Sequence, residues 1–133
     1  KTVIKGGYSL MWDADVSNPG FRTKMGTGLS TDSMSRGNEE VNPDINENSW
    51  DENKRQRLYE NLTTQDDHLM LITGLAKSKG GKQFFVVKNS YGAVGPFSGY
   101  MMISESYFAI NTISLIVPKA ALSRLLLDKL KVK

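Results

Sequence analysis

The chain has 133 residues, 39% of them hydrophobic, with 17 basic and 14 acidic side chains and a formal net charge of +3. That length suits one domain over residues 1–133, and so balanced a charge argues against nucleic acid as a partner. No apolar run approaches the roughly 18 residues of a membrane span, and the absence of cysteine rules out disulfides.

Taken in order, Tyr8 to Trp12 predicts a mostly apolar strand, with Met11 and Trp12 facing a core. Asn18 to Asn48 is rich in Gly, Ser, Asn and Asp and keeps neither a period of two nor one of 3.6. It predicts a single long polar loop, a length that is uncommon unless the loop is functional or disordered. Asp44 to Asn48 starts like a calcium loop, but Ser49 and Arg55 stand where Gly and Glu are needed. Ser49-Trp50-Asp51-Glu52 predicts a capping box with Ser49 as its first member, opening a helix to about Asn61. Leu58 and Leu62 give that helix a modest apolar stripe.

Leu69 to Ala76 and Gln83 to Lys88 predict the two central strands, nearly continuous apolar runs expected to be covered on both faces. The Gly80-Gly81 turn joins them as an antiparallel hairpin. A phosphate loop is excluded there, because Gln83 follows Lys82 where Ser or Thr is needed. His68, the single histidine, heads the first strand, and Asn89 closes the second. The hairpin therefore sets both at the open ends of neighbouring strands, where their side chains can share a hydrogen bond.

Gly92 to Gly99 predicts a loop, Tyr100 to Ile103 a strand, Ser104 to Ala109 one helical turn, and Ile113 to Val117 another strand. Pro118 suits the first turn of a C-terminal helix over 118–131. Its apolar face of Ala121, Leu122, Leu125, Leu126 and Leu130 would pack against the body or a neighbouring subunit. The basic residues Lys119, Arg124, Lys129, Lys131 and Lys133 would form its solvated face and tail. The expected fold class is α+β: a twisted, mostly antiparallel sheet or partial barrel with peripheral helices.

Asp67-His68, then Val87-Lys88-Asn89-Ser90-Tyr91-Gly92, then Gly99-Tyr100 resemble the C-terminal half of a papain-like cysteine peptidase. That family's pattern is a DH or GH motif, then KNSWG, then a GY strand. Trp12 to Ser17 and Ser104 to Ala121 resemble the bleomycin hydrolase, or aminopeptidase C, branch. The likeness runs from about Gly7 to Leu122 and is weakest across Asn18 to Asn48.

The resemblance implies the right-hand domain of a papain-like fold and a thiol-dependent aminopeptidase acting on peptides. His68 would be the catalytic base and Asn89 its orienting partner. Tyr91, where the family usually has Trp, would shield the pair from water. Asp67, Leu69 and Met11 would line the substrate pocket, with Leu69 narrowing it where Ala or Gly is usual. No cofactor and no metal are implied. The branch implies a homo-oligomer, a hexamer, whose cleft is limited by a C-terminal arm, here Leu127 to Lys133. The cysteine nucleophile would lie roughly 60–80 residues before Lys1, in an N-terminal half that this chain lacks. We place the protein in the cytoplasm, with export left open. The alternative function is a degenerate, non-catalytic peptidase-like module for binding or assembly.

Overall fold

The computed structural model describes residues 1–31 and 41–132. A short helix, α1 (Thr2–Lys5), precedes β1 (Leu10–Ala14). Two short strands follow, β2 (Phe21–Arg22) and β3 (Thr27–Gly28), with a 3-10 turn between them. Then come α2 (Glu52–Glu60), β4 (His68–Lys77), β5 (Gln83–Lys88) and β6 (Tyr100–Ser104). The chain closes with α3 (Glu105–Asn111), β7 (Thr112–Ile116) and α4 (Arg124–Lys129).

All seven strands belong to one sheet, ordered β2-β3-β6-β5-β4-β1-β7. Every pairing is antiparallel except β3 with β6. The fold is therefore α+β, a mostly antiparallel curled sheet with helices at its rim. The β4–β5 hairpin lies at its centre, as the Gly80-Gly81 turn predicts. Gly81 has φ +89°, a conformation that glycine adopts without Cβ strain.

One face of the sheet builds the core. Trp12, Ala14, Met70, Ile72, Phe85, Val87, Met101 and Ile103 alternate inward along β1, β4, β5 and β6, and Tyr107 of α3 caps them. Trp12 is fully buried, and its indole N–H donates to Thr112 Oγ1 at 2.9 Å. The polar groups around Tyr107 are satisfied inside this packing, as burial demands. The Tyr107 hydroxyl donates to the Asp15 carbonyl at 2.9 Å, and Asn18 Nδ2 donates to the Tyr107 oxygen at 2.9 Å.

Several expectations are corrected. The stretch read as one polar loop from Asn18 to Asn48 carries β2 and β3, which extend the sheet beyond β6. Two-residue strands are too short to print an alternation, so their pairing comes from the neighbouring edge. Residues 32–40 of that stretch lie outside the described residues. The second part is pinned by Glu47, which accepts from the Ser30 amide and the Ser104 hydroxyl and pairs with Lys82 at 2.6 Å.

The cap of α2 is Asp51, not Ser49: the Asp51 side chain accepts from the Lys54 amide at 2.6 Å. Leu62 falls beyond the helix in a left-handed conformation (φ +61°) and is exposed, so the proposed stripe does not form. The turn expected at Ser104 becomes a longer helix, α3, capped by Ser104 itself, which accepts from the Tyr107 amide.

The continuous helix expected over 118–131 is broken. A 3-10 turn (Lys119–Ala121) gives way to extended Leu122, and Ser123 caps a new helix, α4. Leu125, Leu126 and Leu130 are exposed instead of packed on the body. The first half of β4 is covered on one face only: Met70 and Ile72 are buried, while Leu69 and Leu71 between them are exposed. The apolar run there reflects an uncovered face, not two covered ones.

Candidate active site

β4 and β5 deliver their ends to one place. Leu71 pairs with Lys88, so continuing that register sets Asn89 across from Met70, with His68, two residues before Met70 on the same face, as its diagonal neighbour. The His68 Nε2 lies 2.8 Å from Asn89 Oδ1. Asn89 is buried, and its amide orientation is fixed by two neighbours. Its Oδ1 accepts from the Ser90 backbone N–H at 2.7 Å, and its Nδ2 donates to Met101 Sδ at 3.6 Å. An oxygen therefore faces the histidine, so Nε2 carries the proton and donates. In the neutral ring Nδ1 is then the acceptor nitrogen.

The backbone around Asn89 is equally constrained. Its N–H donates to the Gly99 carbonyl at 3.0 Å, closing the 90–98 loop onto β5. Gly99 has φ +86°, and a Cβ there would collide with the Gly92 carbonyl, so only glycine fits.

On the histidine side, β1 pairs with β4 so that Ala14 lies opposite His68. The lead-in to β4 is laced to the end of β1 by two carboxylates. Asp15 Oδ2 accepts from the Gln65 amide at 3.1 Å, and Asp67 Oδ1 accepts from the Val16 amide at 2.9 Å. Asp15 is itself buried, its other oxygen holding the Ser17 amide at 3.0 Å.

Tyr91 lies against the His68 ring, centroids 4.8 Å apart and planes 27° from parallel. It stands where shielding was expected, although the ring is itself half exposed. Met11 and Leu69 meet in a shallow cavity of about 350 Å³, together with Leu71, Lys88, Asn89 and Ser90. Asp67, expected to line the same pocket, does not; its side chain is turned to the backbone of Val16.

Leu71 and Lys88 were missed as cavity residues. The signal was in the alternation: Leu71 shares a face with Leu69 and pairs with both Met11 and Lys88. Met101 could not be found from sequence, because its contact with Asn89 depends on the β5–β6 pairing.

The charges near the site are mostly acidic. Asp13 lies opposite Leu69, and its negative charge raises the Asp66 carboxyl above the usual range, helped by a hydrogen bond between the two and slight desolvation. Burial pushes the Tyr107 phenol far up; the hydrogen bond from Asn18 opposes this, and the charges of Asp15 and Asp67 add smaller upward contributions. Among the described residues no cluster of His, Asp or Glu could hold a metal ion. Among them, too, no helix is long and apolar enough to cross a membrane.

The curled sheet thus carries His68 and Asn89 hydrogen-bonded to each other at its rim. The chain belongs to the Peptidase C1-like family, which it matches over residues 6–133. Among solved structures it is similar to PepW from Lactobacillus rhamnosis hn001, with a TM-score of 0.67 and 22% identity. That likeness covers 96% of this chain and 26% of PepW, so the chain spans about a quarter of PepW's length. A structure of the bromelain protease from Ananas comosus, in complex with the E64 inhibitor, gives a TM-score of 0.44 at 17% identity. It covers 82% of this chain and 40% of bromelain. No curated protein matches the chain.

Proposed function

We propose that this chain is the C-terminal catalytic half of a thiol-dependent aminopeptidase of the bleomycin hydrolase type. The observation that carries this reading is the Nε2–H to Asn89 Oδ1 hydrogen bond, which leaves His68 Nδ1 as the acceptor. A base held in one tautomer by a neutral amide suits a thiol nucleophile. The imidazole takes the thiol proton to give a thiolate–imidazolium pair, the thiolate attacks the peptide carbonyl, and the imidazolium protonates the leaving amine. An amide partner orients the ring without adding the negative charge that would make the imidazolium a poorer acid.

The thiol must come from elsewhere, since the chain has no cysteine. We assign it to an N-terminal half outside these residues. Met11 and Leu69, in one cavity beside Asn89, would contact the substrate residue nearest the scissile bond. Asp67 would act as a tether for the histidine loop. The assembly we favour is a homo-oligomer, a hexamer, in the cytoplasm.

The test is release of a fluorescent amine from aminoacyl amides. The chain alone should turn over no substrate, because loss of oxyanion donors by itself costs ~10²–10³ in rate. Adding the N-terminal half should give activity that thiol-alkylating reagents abolish and His68→Ala removes. Robust turnover by the chain alone, lost in His68→Ala, would overturn the reading. The rival reading, a degenerate binding module, draws on Tyr91 and Leu69, both unusual for the family at their positions. It predicts no activity even with a folded, cysteine-bearing N-terminal half bound.

A further inference from the structure

A second cavity among the described residues lies away from His68. It is a groove of about 770 Å³ at the far end of the hairpin, on the sheet face opposite the core. Ala76 and Lys77 of β4 line it, roughly 26–30 Å along the strand from His68 at about 3.3 Å per residue. Phe84 and Met102 form its floor, alternating outward while Phe85, Met101 and Ile103 turn to the core. Met25 and Phe97 line it as well. Its volume lies within the range of pockets that enclose small ligands or short peptides, and its lining is mainly apolar, as such pockets are.

Two polar features interrupt that lining. Thr27 is 8% exposed, and its buried Oγ1 has no hydrogen-bond partner. An unsatisfied buried hydroxyl costs about 1–3 kcal/mol. A step of about 120° in χ1 exchanges the threonine hydroxyl and methyl between staggered positions, which lets the hydroxyl face a ligand in the groove. The second feature is charge. The exposed Lys24 and Lys77 line the groove, and among the described lining residues no carboxylate joins them; Asp44, at its edge, is engaged by the Ser78 hydroxyl and the Gly80 amide.

From these features we infer that the groove binds the C-terminal end of an apolar peptide. Apolar side chains fill the Phe84–Met102 floor, a backbone carbonyl accepts from the Thr27 hydroxyl, and the terminal carboxylate lies between Lys24 and Lys77. A fatty acid carries a single polar group, so it offers no second acceptor for the Thr27 hydroxyl once its carboxylate is held by the lysines. A peptide amide would satisfy the hydroxyl but leave the lysines without a counter-charge. The peptide carboxylate answers all three. This site is separate from the His68 region and does not depend on the peptidase reading.

The six methionines make the test direct. With ¹³C-methyl methionine in the chain, Met25 and Met102 report on the groove and Met11 on the cavity beside Asn89. The probes are N-acetyl-Leu-Phe with a free carboxylate, the same dipeptide as its C-terminal amide, and decanoate. Saturable shifts at Met25 and Met102, with Met11 unmoved, are expected from the carboxylate dipeptide. The amide should bind at least fivefold more weakly. In Lys24→Ala/Lys77→Ala the two peptides should bind alike. Thr27→Val should weaken both peptides and leave decanoate unchanged.

The lysine variants lie at exposed positions, so the test stands even if Thr27→Val fails to fold. The inference is overturned by no saturable shift at Met25 and Met102, by shifts centred on Met11, or by equal binding of carboxylate and amide to the unsubstituted chain. Decanoate binding more tightly than the dipeptide would also overturn it and mark the groove as a lipid site.

Discussion

Asn89 presents its side-chain oxygen, not its nitrogen, to the His68 ring. The Ser90 amide decides this: it is a fixed donor 2.7 Å from that oxygen, and a flipped carboxamide would set donor against donor. Nitrogen NMR of His68 should therefore find the Nε2–H tautomer in the neutral ring. Asn89→Ala removes the acceptor, and the tautomer population should move toward the mixture of a free imidazole. An unchanged tautomer in that variant would show that Asn89 does not orient the ring.

Tyr91 covers one face of the His68 ring, and its hydroxyl takes no part in the stack. Tyr91→Phe should leave exchange of the His68 ring N–H with water unchanged, whereas Tyr91→Ala should speed it. Stacked aromatic pairs contribute about 0.5–1.5 kcal/mol, and with Tyr91 half exposed the stability loss in Tyr91→Ala should stay near the lower end. Equal exchange in all three proteins would leave position 91 without a shielding role.

Asp66 and Asp13 repel each other, which raises the Asp66 carboxyl above its ordinary value. The folded chain therefore holds that proton more tightly than the unfolded chain. Through this pair, stability is greatest below the ordinary carboxylate range and declines as pH rises through the raised value. Asp66→Asn should raise Tm at pH 7, and the gain should shrink as pH falls into the carboxylate range. A gain that is constant with pH would show that the repulsion is not its source.

The start of α2 discriminates between two caps. Asp51→Ala should cost about 1 kcal/mol, the usual loss when an N-cap acceptor is removed. Ser49→Ala, two residues before the cap, should change stability by less than about 0.5 kcal/mol, as surface substitutions do. Urea unfolding of both variants gives the comparison, and the reverse order would restore the capping box at Ser49.

Local chemistry was enough to mark the centre of this molecule. The apolar runs on either side of Gly80-Gly81 could pair only as a hairpin, and once paired they bring His68 to Asn89. Trp12 in the core and the α+β class followed from the same alternation and turn signals. Where the sequence failed, the deciding force came from elsewhere in the chain. β2 and β3 exist because an existing sheet edge offers their backbones hydrogen bonds, which no local period announces. The cap of α2 moved to Asp51 because several acceptors lay within reach, and tertiary packing chose the register. Leu69 and Leu71 look the same in sequence as Met70 and Ile72; only the curl of the sheet decides which of them meet the core. The groove beneath Phe97 joins side chains from β3, β4, β5, β6 and two loops, and such a site has no sequence spacing to recognise. Periodicity reports what one segment prefers, while burial and convergence depend on which segments arrive beside it.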